Sequence, residues 1–171
     1  MKKITAILIG LALIFTMSAC GTGGGQTSGI GEGDLFTFST ETFQGEAFTS
    51  DNVKDAKLVM INLWEPWCGP CVEEMPDLEK IYEEYKDQGL VILGAFFETG
   101  QDEDVASILE EAGITYPILR ASSEFAGFNT GYVPTTVFLT GEGKLVSSEP
   151  YIGSRPYEEW EQIVKELMEG L

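Results

Sequence analysis

The 171-residue sequence contains no histidine. That removes imidazole general bases, Ser-His and Cys-His nucleophile pairs and every His-bearing metal site, so any catalysis falls to Cys, carboxylates, Tyr or Lys. Basic residues are scarce as well: 10 Lys and Arg stand against 28 Asp and Glu, a formal charge of -18. Such a chain repels phosphate backbones and anionic lipid surfaces, which excludes nucleic acid as a partner. The apolar run from Ile4 to Met17 has only 14 residues, short of the roughly 20 that a permanent membrane helix needs. What is present is a globular composition, 43% hydrophobic and 11% aromatic. The length suits one domain with a sizeable core and is too short for two ordinary ones.

The chain starts with Met1, Lys2 and Lys3, then the short apolar run, then Ser18, Ala19 and Cys20. A basic start, an apolar centre and small residues make a secretory leader, expected to span residues 1–19 and to be cleaved. Cysteine directly after Met-Ser-Ala resembles the lipobox of bacterial lipoproteins, which implies a diacylglycerol on the Cys20 thiol and Cys20 as the mature N-terminus. From Gly21 to Gly33 seven of thirteen residues are glycine. Residues 20–33 are therefore expected to be a flexible tether with a reach of about 20 Å, leaving a folded domain at 34–171. Loss of Lys2 and Lys3 with the leader takes the charge from -18 to -20, which keeps the domain body from lying flat on anionic lipid.

Leu35, Phe36 and Phe38, then Phe43 to Phe48, predict two short strands joined around Gly45. Lys57 to Trp64 is a nearly continuous apolar run, as expected of a strand buried on both faces. It leads into Glu65-Pro66-Trp67-Cys68-Gly69-Pro70-Cys71, after which Val72, Met75, Leu78, Tyr82 and Tyr85 recur at helical spacing, with Pro76 inside and Gly89 as the stop. A second buried strand, Leu90 to Phe97, precedes a helix from Asp102 to Ala112. Together they make a βαβα pattern. Tyr116 to Leu119 reads as a short strand, Ser122 to Phe128 as a short helix, and Thr135 to Leu139 with Leu145 to Ile152 as a hairpin. A last helix begins at Ser154 and Pro156 and carries Tyr157, Trp160, Ile163, Val164 and Leu167 on one face.

Cys68 and Cys71 lie three apart at a helix start, on one face and close enough to bridge. The spacing also fits half a zinc site, but the two further ligands would have to come from Cys or His, and the only other thiol is Cys20. An inert structural disulfide is the other alternative. The helix N-terminus favours a thiolate at the first cysteine, making Cys68 the nucleophile and Cys71, one turn inside, the resolving thiol. Leu63 to Cys71 resembles the active-site segment of the thioredoxin superfamily. Pro76 matches its helix proline and Val133-Pro134-Thr135 its cis-proline. The resemblance implies an α/β thioredoxin fold, a central mixed sheet flanked by helices. It also implies a client chain held in extended pairing by Val133 and Pro134, with Trp67, Gly69 and Pro70 as further contacts, and no cofactor or metal beyond the Cys68-Cys71 disulfide.

Within that superfamily the sequence is similar to the TlpA/ResA-like branch of membrane-anchored oxidoreductases. The similarity rests on the lipoprotein leader, the N-terminal hairpin, an extra helix and strand insertion from Gln101 to Phe128, and Glu74 in the Cys-x-x-Glu position. Partial burial would raise the pKa of Glu74 and suit it to exchange protons with Cys71; alternatively it is one more solvated carboxylate among Glu73, Asp77 and Glu79. Asn62 stands where thioredoxin has a buried Asp, and Glu98, at a strand end, is a second acid candidate.

The resemblance implies a lipid-anchored thiol-disulfide oxidoreductase on the outer face of the bacterial cytoplasmic membrane. Its electron donor would be a transmembrane thiol carrier of the CcdA/DsbD type. Its clients would be exported proteins such as apocytochrome c, peroxidases or methionine sulfoxide reductases. Cys-Gly-Pro-Cys, the thioredoxin sequence, favours reduction; an oxidase or isomerase is the alternative within the class. A copper-binding module of the Sco type is the alternative outside it, but that family uses CxxxC plus a distal His. A peroxiredoxin needs Thr three residues before its reactive Cys, where Glu65 stands. If Cys20 is the acylation and cleavage site, Cys20→Ala leaves an uncleaved or shed precursor, read by fractionation and lipid labelling; wild-type protein that is soluble and unlabelled contradicts the anchor.

Overall fold

The computed structural model describes residues 35–171; the leader, Cys20 and the tether lie outside the described residues. The first elements are β1 (Ser39–Glu41) and β2 (Ala47–Thr49), an antiparallel pair that turns at Gly45. There follow β3 (Leu58–Leu63), α1 (Gly69–Tyr85), β4 (Leu90–Phe96), α2 (Asp102–Ala112) and β5 (Ile118–Arg120). The chain ends in β6 (Thr135–Leu139), β7 (Tyr151–Ile152) and α3 (Tyr157–Glu169). The main sheet has the order β5-β4-β3-β6-β7, with β3, β4 and β5 parallel and β6 and β7 antiparallel. This is the mixed sheet flanked by helices expected for the thioredoxin fold.

All six residues of β3 are buried because it is the central strand and both of its faces are covered. Leu58, Met60 and Trp64 point to one side, where Cys71, Met75 and Leu78 of α1, Val105 of α2 and Trp160 and Val164 of α3 meet them. Val59, Ile61 and Leu63 point to the other, which no α-helix among the described residues covers. There Phe36, Phe38 and the 3-10 turn Ser123–Phe128 supply an aromatic cluster, with Phe36 packed 5.3 Å from Phe125 and 4.6 Å from Phe128 between ring centroids.

Phe36 and Phe38 therefore precede the first strand instead of forming it, since burial on the sheet face outweighs their strand propensity. The strand expected from Tyr116 lies at Ile118–Arg120. The C-terminal hairpin is interrupted. After Val146, whose N-H donates to Phe138 O, the chain leaves the sheet and rejoins it only at Tyr151. Pro150, with no N-H to give a ladder, stands just before the return.

The turn between β6 and β7 packs directly against the start of the domain: Phe36 N donates to Gly143 O at 2.8 Å. Gly143 has φ +88, and a Cβ there would collide with the Phe36 carbonyl. Gly45 has nearly the same φ, +87, with open space around it. Gly45→Ala should therefore cost only backbone strain, about 1 kcal/mol, and Gly143→Ala clearly more, on the order of 2–4 kcal/mol. Urea unfolding of the two variants checks the difference.

Candidate active site

Strand β3 ends at Leu63, and after the four residues 64–67 the chain enters α1 with Cys68 as its N-cap. Cys68 Sγ accepts from Cys71 N at 3.3 Å, and Gly69 and Pro70 form the first helical positions. A proline suits this position because the N-H it lacks would have had no partner in the helix. Cys68 and Cys71 are joined as a disulfide with Cα atoms 5.3 Å apart. Cys68 keeps 6% exposure while Cys71 has none, so of the two residues only Cys68 reaches the surface. On reduction the outer sulfur is left at the helix N-terminus, where free N-H groups and the helix dipole favour its thiolate. Cys68 Sγ also lies 3.7 Å from the Val133 carbonyl oxygen, and the Val133-Pro134 peptide is cis. The loop predicted to hold the client chain thus abuts the outer sulfur.

Glu74 is 3% exposed, whereas its neighbour Glu73 faces solvent. Its Oε1 accepts from Asn62 Nδ2 at 3.0 Å; its Oε2 accepts from Arg155 N and from Trp160 Nε1, both at 3.1 Å. Burial drives its pKa above the ordinary carboxylate value, and these donors, with the Arg155 charge, oppose the rise without cancelling it. Asn62 Nδ2 donates also to Thr136 Oγ1 at 3.0 Å, while Asn62 Oδ1 is buried without a partner among the described residues. The acid therefore sits inside, one turn past Cys71 on the face that packs on β3.

A second buried acid was not singled out from the sequence. Glu65, 7% exposed, accepts from Phe97 N at 3.0 Å and Glu98 N at 3.1 Å. Burial raises its pKa, the two N-H donors lower it, and the Glu98 charge adds to the rise. Glu98, the acid candidate at this strand end, is only half-buried and turns its carboxylate to Thr99 N at 2.9 Å. The readable signal was a carboxylate directly after a strand of continuous apolar residues and before a CxxC helix.

Beside the disulfide a cleft of about 240 Å³ opens between Trp67, Phe97 and Tyr132, with Trp64 and Glu65 beneath. Trp67 is 62%, Tyr132 69% and Phe97 39% exposed. These exposed rings form an apolar patch on the surface beside the disulfide.

The family model described as AhpC/TSA matches residues 33–147. The chain is 34% identical over 137 residues to the thioredoxin-like protein YneN of Bacillus subtilis, covering 78% of this chain and 79% of YneN. It is 30% identical over 134 residues to the thiol-disulfide oxidoreductase ResA of Halalkalibacterium halodurans, covering 77% and 72%. Among solved structures, a thiol:disulfide interchange protein of the thioredoxin family from Chlorobium tepidum superposes with a TM-score of 0.67 at 26% identity, covering 78% of this chain and 94% of the other. StoA from Bacillus subtilis shares the fold with a TM-score of 0.60 at 20% identity, covering 75% and 96%.

Because folding raises the pKa of Glu74 above its usual value of 4.5, proton binding there stabilises the fold. That contribution is complete below pH 4.5 and is lost as the pH rises through the higher folded value. Glu65 acts with the same sign. Glu74→Gln should flatten part of this fall, about 1.4 kcal/mol for each pH unit between folded and unfolded values, and Glu73→Gln should leave it unchanged. Gln fits the site: its oxygen can face Arg155 N and Trp160 Nε1 while its amide meets Asn62 Oδ1 after that side chain turns over. Urea unfolding across the acidic to neutral range is the measurement.

Proposed function

The chain belongs to the AhpC/TSA family and is a thiol-disulfide oxidoreductase, and from that premise we propose that it works outside the cytoplasm, lipid-anchored through Cys20, as a reductase of client disulfides. The observation that carries the reading is the asymmetry of the pair: Cys71 is wholly buried, one helical turn before Glu74, while Cys68 keeps a slight exposure beside Val133 and next in sequence to Trp67 of the aromatic cleft. In the reduced protein the Cys68 thiolate attacks one client sulfur, forming a mixed disulfide and releasing the other client sulfur as a thiolate. Glu74 takes the Cys71 proton, and the Cys71 thiolate attacks Cys68 Sγ. The second client thiol leaves, and the Cys68-Cys71 disulfide described above is restored. Two electrons pass to the client, and the two protons that complete its thiols come from Cys71, by way of Glu74, and from water.

The intervening Gly69-Pro70 supports the reducing direction, since thioredoxin with the same pair has a potential of about -270 mV. The reductant that renews the dithiol is a transmembrane thiol carrier of the CcdA/DsbD type. Exported proteins whose disulfides must be opened are the clients, with apocytochrome c, peroxidases and methionine sulfoxide reductases as the classes to try. The measured potential of the pair, against glutathione and thioredoxin standards, decides direction; a value near that of strong oxidants would make the protein an oxidase instead.

Cys68→Ser should abolish insulin reduction, whereas Cys71→Ser should accumulate mixed disulfides on non-reducing gels, because only the outer thiolate attacks and only the inner thiol resolves. Equal trapping by the two variants would overturn these roles. Glu74→Gln should shift the pH dependence of exchange as a coupled acid-thiol pair requires, while Glu73→Gln matches the wild type.

A further inference from the structure

We propose that Glu65 is a positioning residue for client docking: it ties Phe97 in place as one wall of the cleft beside Cys68 and so makes the protein favour clients with an aromatic or large aliphatic residue next to the disulfide. The inference rests on the reading that this site exchanges disulfides with proteins, and it names the class of client segment that the site prefers.

Strands β3 and β4 pair in register up to Leu63 opposite Ala95, and Trp64 N still donates to Ala95 O at 3.0 Å. Beyond that point the β3 chain turns toward α1, and its backbone no longer faces the end of β4. The Glu65 side chain takes over, accepting the next two N-H groups, those of Phe97 and Glu98. Each carboxylate oxygen takes one of them, so this buried charge is matched by donors that would otherwise lose their partners. The same residue holds the nucleophile, because Cys68 N donates to Glu65 O at 3.0 Å.

Alternation along β4 places Phe96 in the core, 2% exposed, and leaves Phe97 standing outward in the cleft. Glu65 therefore ties the reactive cysteine, through its backbone, to the aromatic wall, through its side chain. With the wall fixed, an apolar side chain beside a client disulfide buries its surface between Trp67, Phe97 and Tyr132 as the sulfur reaches Cys68. A polar side chain gains nothing there.

The test compares disulfide-bridged peptides that differ only in Phe or Ser beside a cysteine, with hydroxyethyl disulfide as a substrate too small to reach the cleft. The wild type should prefer the Phe peptide through KM. Glu65→Ala should raise that KM about 3- to 10-fold with kcat, the rate on hydroxyethyl disulfide and the Cys68-Cys71 potential unchanged. Phe97→Ala should do the same, and the double variant should be no worse than either, because both changes remove one wall. Glu65→Gln retains an acceptor for one amide; it should fall between wild type and Glu65→Ala, and it replaces Glu65→Ala in the cycle if that variant does not fold. Additive effects of the two substitutions, equal losses on the peptides and hydroxyethyl disulfide, or an unmoved KM overturn the proposal. Wild-type activity with an unmoved KM in the variants defeats this inference alone, while a wild type inactive on every disulfide defeats the reading beneath it as well.

Discussion

A carboxylate withdrawn from water must be given donors, and Glu74 receives them from three directions. The side chain of Asn62 in β3, the backbone of Arg155 in the approach to α3 and the indole of Trp160 within α3 converge on it. These bonds join the first turns of α1 to the central strand and to the last helix. The pair of cysteines rides on the same turns, so the orientation of the redox centre follows from how one buried acid is satisfied. The burial that makes the bonds necessary also raises the acid's proton affinity. Structure and chemistry here share one cause, desolvation.

The two buried acids divide the site between them. Glu74 lies on the buried face of α1, one turn past Cys71, with its carboxylate held by Asn62, Arg155 and Trp160. Glu65 lies just past the end of β3, and its bonds run to backbone amides at the neighbouring strand's exit. Both stand on a chain whose formal charge is -18. That surplus keeps the surface acidic, while the face around Cys68 is lined by Trp67, Phe97 and Tyr132.

The covering of the sheet is uneven, and the unevenness bears on the site. Helices α1, α2 and α3 pack on the face that carries Met60 and Trp64. The opposite face is closed by Phe36, Phe38, Phe125 and Phe128, rings drawn from two segments far apart in the chain. The segment that carries Phe125 and Phe128 runs on to Asn129, Tyr132 and Val133 at the cleft. Packing on the back of the sheet thereby continues into the loop that touches Cys68 Sγ.

The apolar run of β3, the helical periodicity of α1 and the spacing of Cys68 and Cys71 could be read directly from the chain, because each depends on residues near in sequence. The thioredoxin-like fold was legible for the same reason, with Val133-Pro134 as a distant but recognisable mark. Phe36 and Phe38 were misplaced into a strand, and the hairpin after β6 was drawn as unbroken, because local propensity does not see a sheet face in need of cover or a chain segment released from it. Glu73 and Glu74 are neighbours of one residue type, and their sequence spacing alone could not assign one to solvent and the other to the core. The burial of Glu65 is not legible in the sequence because its partners, the amides of Phe97 and Glu98, lie 32 and 33 residues away. Sequence by itself determined the reactive pair and the helix that activates it. Only the tertiary structure decided which acids are buried beside that pair and which rings face its client, since burial and hydrogen-bond partners are properties of distant segments brought together.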